Sequence, residues 1–160
     1  MQQENKRITA LRCLCWALTA LIMCAVFYFS SRTASESAQQ SGFFTEIFNR
    51  VFENFPYAEL VVRKSAHFLE FTALGFSFSL SLYMQFFKFK PVWAVALTSL
   101  YAVTDEVHQL FVDGRACRFT DWLIDTAGGL TGALVFLLIA VIIKKVVSVR
   151  AESKRKPTDN

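Results

Sequence analysis

The sequence predicts an all-α fold, a four-helix transmembrane bundle with a short interfacial amphipathic helix on its outer side. Four apolar runs have about the 20 residues that a helix needs to cross a bilayer. They cover residues 11–29, 66–87, 92–111 and 122–143. Hydrophobic residues make up 54% of the 160 residues, and 17 residues are Phe. A soluble domain of this size could not bury so much apolar surface, so lipid is expected to cover it.

The first apolar run is predicted to be a retained membrane anchor rather than a cleaved signal peptide. Its uninterrupted apolar stretch, residues 13–29, is longer than the roughly 7–15 residues of a typical signal core. We therefore divide the chain into an N-terminal tail with the first span (1–30), an extracytoplasmic segment (31–62), a core of three spans (63–143) and a basic cytoplasmic tail (144–160).

The distribution of basic residues predicts the orientation. If both termini are cytoplasmic, eleven of the 17 Lys and Arg residues lie on the inner side and six on the outer side. This is the bias of the positive-inside rule, so we expect both termini in the cytoplasm. The basic residues sit at the ends of segments rather than in one patch. That pattern excludes nucleic acid as an expected partner.

The outer segment contains a helical pattern of its own. Apolar residues recur there at helical spacing, at Phe44, Ile47, Phe48, Val51, Phe52 and Phe55. Pro56 ends the pattern, since proline cannot continue a helix. An aromatic-rich amphipathic helix beside membrane spans is expected either to lie in the outer interface or to pack over the mouth of the bundle.

Each of the last three spans carries ionisable residues near its outer end. At about 1.5 Å per residue, His67 and Glu70 lie about 4–10 Å inside the outer interface. Asp105 and Glu106 end the third span, which runs outward, and Asp125 lies one turn inside the fourth. Each such group costs on the order of 2.5–3.5 kcal/mol in hydrocarbon. These faces are therefore expected to turn inward and meet.

Two further features support this meeting point. The short connection after the third span contains Asp113-Gly114, a turn signal, and brings Arg115 and Arg118 to the same mouth. Gly128 and Gly132 form a small-xxx-small pair that should let the fourth helix pack closely on a neighbour.

Four motifs occur in a fixed order along the core. They are Lys64-x-x-His67-Phe68-x-Glu70, Asp105-Glu106-x-His108-Gln109, Gly114-Arg115 and Asp121-x-x-x-Asp125-Thr126-x-Gly128. Over residues 63–138 the chain thereby resembles the VanZ-like family, which is named for a member that raises resistance to teicoplanin. The resemblance implies a multi-pass protein of the bacterial plasma membrane with a role in the cell envelope.

The polar mouth predicts a binding site for an amphiphile. Basic side chains would hold an anionic head group, and apolar faces would hold its tail. The candidate binding residues are Arg63, Lys64, His67, Gln109, Arg115, Arg118, Asp121 and Asp125. Given the family, the expected partners are a membrane lipid or lipid-linked wall precursor, and a lipoglycopeptide.

Two alternatives remain open at the level of sequence. An intramembrane hydrolase or transferase would use His108 as a base with Asp105, or Glu70 or Glu106 as an acid with a raised pKa. No cofactor is predicted, but His67, Glu70, Glu106 and His108 are of the types that zinc accepts. Alternatively, the acids and bases only neutralise one another as a structural network.

Overall fold

A computed structural model describes residues 2–53 and 55–155, with side chains as far as Ala151. Its helices are α1 (Gln2–Ser30), α2 (Ala34–Val51), α3 (Ala58–Phe86), α4 (Pro91–Gln109) and α5 (Phe119–Arg155). The described residues contain no strand, which confirms the all-α prediction. The four predicted spans fall in α1, α3, α4 and α5. The first part of the predicted basic tail is helical, and residues 156–160 lie outside the described part.

Two helices, α1 and α5, are long and apolar enough to cross a membrane. Only 11% of the most apolar window of α1 and 17% of that of α5 is buried inside the protein. A core helix of a soluble protein would be covered by its neighbours, whereas these helices leave their apolar surface for lipid. These two helices indicate a membrane protein. By length and apolar composition alone, two of the four predicted spans, those in α1 and α5, qualify as membrane-crossing helices.

The other two long helices, α3 and α4, carry ionisable residues toward one end. α3 carries Arg63, Lys64, His67 and Glu70 in its first turns, and α4 carries its acids in its last turns. These are the residues that the sequence analysis assigns to the candidate site.

Helix α2 starts ten residues earlier than the aromatic pattern predicts. Thr33 caps it: its hydroxyl accepts from the Glu36 amide at 3.3 Å, and the Glu36 carboxylate accepts from the Thr33 amide at 3.0 Å. These hydrogen bonds lower the pKa of the Glu36 carboxyl. The reciprocal arrangement is a capping box, a signal that is present in the sequence as T-x-x-E. The helix ends at Val51, before Pro56, so Phe55 lies outside it.

The tightest helix contact is between α3 and α5. A Cβ atom added at Gly132 would lie 2.0 Å from the Thr72 carbonyl oxygen, and one at Gly128 would lie 2.5 Å from that of Phe68. Because these neighbours are backbone atoms, no side-chain rotation could make room. The predicted small-xxx-small contact is thereby confirmed, and α3 is its partner.

Hydrogen bonds fix α1 against α3 and α4. Thr19 lies within 2.7 Å of the Ser77 hydroxyl and 2.9 Å of that of Ser81, both on α3. On the other side, the Tyr101 hydroxyl of α4 donates to the Met23 carbonyl at 2.6 Å. Polar groups that cannot reach water are satisfied here across helix interfaces.

Candidate functional site

A polar cavity of about 170 Å³ lies where the start of α3, the end of α4 and the start of α5 meet. The connection between α4 and α5 closes it on one side. Its walls include all eight candidate binding residues, namely Arg63, Lys64, His67, Gln109, Arg115, Arg118, Asp121 and Asp125. Three segments far apart in sequence therefore bring their polar side chains to one place. Binding at this cavity remains a prediction.

The candidate catalytic residues are distributed differently. Glu106 lines the cavity, whereas Glu70, Asp105 and His108 lie outside its lining. The His108 ring packs against Phe27 of α1, with 4.4 Å between ring centroids. The described hydrogen bonds do not join His108 to Asp105. The structure therefore does not form the base–carboxylate pair that their spacing suggested.

Asp105 is instead held by α1 and by its own helix. Its Oδ2 accepts from the Ser30 hydroxyl at 3.0 Å and from the Gln109 amide at 3.1 Å. The same Gln109 amide donates to Ser30 at 3.1 Å. Ser30 is 0% exposed, and sequence reasoning assigned it no role. A serine at the end of an apolar run is the signal that could have indicated a polar contact.

The connection between α4 and α5 is fixed by backbone contacts. The Arg118 amide donates to Glu106 Oε2 at 2.7 Å, and the Arg115 guanidinium donates to the Arg32 carbonyl at 3.2 Å. Gly114 adopts φ +74°, which confirms the predicted turn. Burial, followed by the nearby charge of Arg63, lowers the pKa of Arg115. The loop thereby holds two guanidinium groups at the mouth.

The charges of the cavity partly neutralise one another. Lys64 Nζ lies 2.5 Å from Asp121 Oδ1, in an ion pair whose side chains are about 30% exposed, 29% and 30% respectively. Arg63 lies 3.6 Å from the more exposed Glu59, one turn earlier on the same helix.

The Lys64–Asp121 pair should stabilise the junction of α3 and α5 measurably. We expect a double-mutant cycle with Lys64→Ala and Asp121→Ala to give a coupling free energy of about 1 kcal/mol. The matched control is Arg50–Glu46 on α2, 4.0 Å apart with side chains 81% and 75% exposed. Its coupling should be near zero, measured by thermal unfolding in lipid nanodiscs. Equal coupling in both pairs would show that Lys64–Asp121 is only a surface pair.

Three side chains of the types that bind metal ions lie together at the deep side of the cavity. His67, Asp105 and Asp125 each place one ligand atom so that all three lie within 4.8 Å of one another. The metal alternative considered from sequence used His67 with Glu70, Glu106 and His108. Among the described residues only His67 of that set belongs to the group that the structure assembles.

Comparison with known proteins gives the family of the chain. The chain matches the VanZ/LLP1 family over residues 15–141, from within α1 to within α5. No curated protein and no solved structure matches it. Because the match covers most of the sequence and includes the whole cavity, the chain belongs to the VanZ/LLP1 family.

Proposed function

We propose that the chain is a multi-pass protein of the bacterial plasma membrane, in which α1, α3, α4 and α5 all cross the bilayer and both termini are cytoplasmic. Helix pairing supports four spans. α1 runs antiparallel to α3, from Arg12, which donates to the Met84 carbonyl at 3.0 Å, to Thr19 beside Ser77. A helix that accompanies an apolar span over its length crosses the same thickness of lipid.

The contacts between α1 and α4 support the same topology. Met23 and Ser30 of α1 bond to Tyr101 and Asp105 of α4, so these two helices run parallel. The polar end of α4 thus lies at the outer end of α1. The cavity then opens toward the outer leaflet, and the basic residues of both termini lie on the opposite side.

We propose that this cavity binds the anionic head group of an amphiphile in the outer leaflet. The observation that carries the proposal is the convergence of four basic side chains, Arg63, Lys64, Arg115 and Arg118, on one cavity. Guanidinium groups are suited to phosphate and carboxylate oxygens. No described ion pair involves the side chains of Arg115 and Arg118, which leaves them available to a ligand.

The size of the cavity favours a head group over a whole molecule. At about 170 Å³, it is smaller than the roughly 300–1,000 Å³ of pockets that enclose entire ligands. The hydrophobic part would remain outside, against the apolar helix faces and the Phe-rich surface of α2. Given the family, an undecaprenyl-linked wall precursor or an acylated glycopeptide fits this description. A contribution to teicoplanin resistance would follow from such binding.

A structural charge network is the second candidate, and the close Lys64–Asp121 pair is the observation that favours it. If the charges serve only to hold the helices together, their removal lowers stability and no ligand responds. A hydrolase or transferase acting on a lipid-linked substrate would in addition show turnover that Glu106→Gln abolishes.

The test is a binding experiment with the full-length protein in nanodiscs of uncharged lipid, with undecaprenyl phosphate and teicoplanin as separate probes. We expect Arg115→Ala to weaken binding of the anionic lipid by at least about tenfold, roughly 1.4 kcal/mol. Added salt should weaken binding to the native protein more than binding to the variant. Arg50→Ala is the control, because Arg50 is exposed on α2 and lies outside the cavity.

Each outcome decides between the candidates. Loss of binding with an unchanged unfolding midpoint supports the head-group site. A lowered midpoint in Arg115→Ala, with no saturable binding by the native protein, supports the structural network. Product formed from either probe, and lost in Glu106→Gln, supports the enzyme.

A further inference from the structure

The deep side of the cavity contains two carboxylates with almost no access to solvent. Asp105 and Asp125 are each 2% exposed, and they come from different helices, α4 and α5. Together with His67 of α3 they form the group whose ligand atoms lie within 4.8 Å of one another. Two buried carboxylates side by side are unfavourable unless a cation lies between them or one of them is protonated. Within the described residues, neither Asp105 nor Asp125 forms an ion pair with a basic side chain.

The polar atoms of this group have free bonding capacity. Asp105 Oδ2 is occupied by Ser30 and Gln109, but Oδ1 is buried and, within the described residues, has no hydrogen-bond partner. His67 Nδ1 is also buried and has no hydrogen-bond partner within the described residues. It lies 3.8 Å from Glu70 Oε2, which is buried and without a hydrogen-bond partner as well. His67 Nδ1 and Glu70 Oε2 can satisfy each other, but Asp105 Oδ1 is left without a partner among the described residues and is free to bind a ligand that is not protein.

We propose that His67, Asp105 and Asp125 bind a divalent transition-metal cation of the zinc type. One imidazole and two carboxylates are ligands that zinc accepts, with bonds of about 2.0–2.2 Å. In the tetrahedral geometry that zinc prefers, such bonds place neighbouring ligand atoms roughly 3.3–3.6 Å apart, a separation that falls within the 4.8 Å limit of the group. Two carboxylates and a neutral imidazole also balance the double positive charge.

The surroundings fit a metal centre. A metal-bound carboxylate is typically held by further hydrogen bonds, as Ser30 and Gln109 hold Asp105. A metal-bound histidine typically donates its other ring nitrogen to a carboxylate, and Glu70 is placed for that role beside His67.

The centre would be open on the side of the cavity. His67 and Asp125 both line the cavity, so a fourth position on the ion faces its contents. Three protein ligands with one open position is the arrangement of zinc sites that bind water or a substrate oxygen. The inference depends on these three side chains and not on the head-group proposal, which concerns the basic residues nearer the mouth.

The test uses the full-length protein, stripped with chelator and reconstituted in nanodiscs. We expect it to take up one Zn²⁺ per chain, to give visible Co²⁺ absorption bands, and to unfold at a higher temperature with Zn²⁺ than without. Asp125→Asn and His67→Gln should lower Zn²⁺ affinity by at least about tenfold. Glu46→Gln is the control: it removes a carboxylate that is 75% exposed on α2, outside the cavity and the trio, and it should leave Zn²⁺ affinity unchanged.

A second measurement needs no substitution. The chain has 2 histidines, so diethyl pyrocarbonate labelling read by mass spectrometry compares His67 directly with His108. Zn²⁺ should protect His67 and leave His108 unaffected. Absence of stoichiometric Zn²⁺ binding by the folded native protein would overturn the proposal. So would an equal loss in Glu46→Gln, or equal labelling of His67 with and without Zn²⁺.

Discussion

Replacing Gly132 with Ala is expected to lower the free energy of unfolding by at least about 2 kcal/mol. The added Cβ would lie 2.0 Å from the Thr72 carbonyl oxygen and 2.6 Å from the Phe76 nitrogen. Both are backbone atoms of α3, so the two helices must move apart. The neighbouring close contact between Gly75 and Gly129 would then open as well. Thermal unfolding in nanodiscs measures the effect.

The matched control is Gly42→Ala on α2. Nothing lies within 4 Å of a Cβ at that position, and in a helix interior Ala is more favourable than Gly by about 0.5–1 kcal/mol. Gly42→Ala should therefore not destabilise the protein. An unfolding midpoint that falls equally in the two variants would contradict the close packing of α3 on α5.

The second large effect is expected from Phe71→Ala. Phe71 is 0% exposed, belongs to the buried cluster with Val26 and Leu74, and lies 6.3 Å from the Tyr101 ring between centroids. Removing its ring empties roughly 100 Å³, which at ~24 cal/mol per Å³ costs about 2 kcal/mol. In soluble proteins such a truncation also loses the free energy of transferring the side chain from water to the core. Here that loss should be small, because on unfolding the side chain moves from the apolar core into apolar lipid.

Leu69→Ala is the control for Phe71, because it lies on the same helix but is 64% exposed. Its side chain contacts the surroundings rather than the core, so its truncation should change the unfolding midpoint little. Because Phe71 is one helical turn from His67, Phe71→Ala should also loosen the deep side of the cavity and weaken Zn²⁺ binding. A variant as stable as Leu69→Ala would show that Phe71 does not support the core.

The long helices could be predicted from the lengths of the apolar runs and from the positions of the polar residues. The four runs all fall in long helices, since about 20 apolar residues have few alternatives. The start of α2 was missed because the aromatic pattern begins at Phe44, whereas the capping box at Thr33 and Glu36 determines where the helix begins. The close partner of Gly132 could not be predicted, because a small-xxx-small pair does not specify which helix it contacts.

The convergence of these polar residues on one cavity could be predicted from the sequence, whereas the contacts among them could not. Depth along each span indicated that His67, Asp105 and Asp125 would lie at one level, because depth follows from helix rise. The azimuth of each side chain depends on packing, which a sequence does not give. The His108 ring packs against Phe27, and Asp105 accepts a hydrogen bond from Ser30. Both partners lie on α1, a helix that contributed none of the predicted site residues.

The central claim is that the polar cavity opens on the outer side of the membrane, and Cys117 gives the most direct test. Cys117 is exposed in the loop between α4 and α5. Partial desolvation and the nearby Glu106 carboxylate raise the pKa of its thiol, so labelling is best done at alkaline pH. The protein for this test keeps Cys117 and has Ser at positions 13, 15 and 24. Its counterpart has Ser at all four positions and carries Lys88→Cys.

An impermeant maleimide applied to intact cells should label Cys117. The Lys88→Cys protein should be labelled only after the membrane is permeabilised, because position 88 lies in the connection between α3 and α4 at the opposite end of the bundle. Labelling of Cys117 that required permeabilisation, or labelling of position 88 in intact cells, would contradict the proposed orientation and with it an outward-facing site.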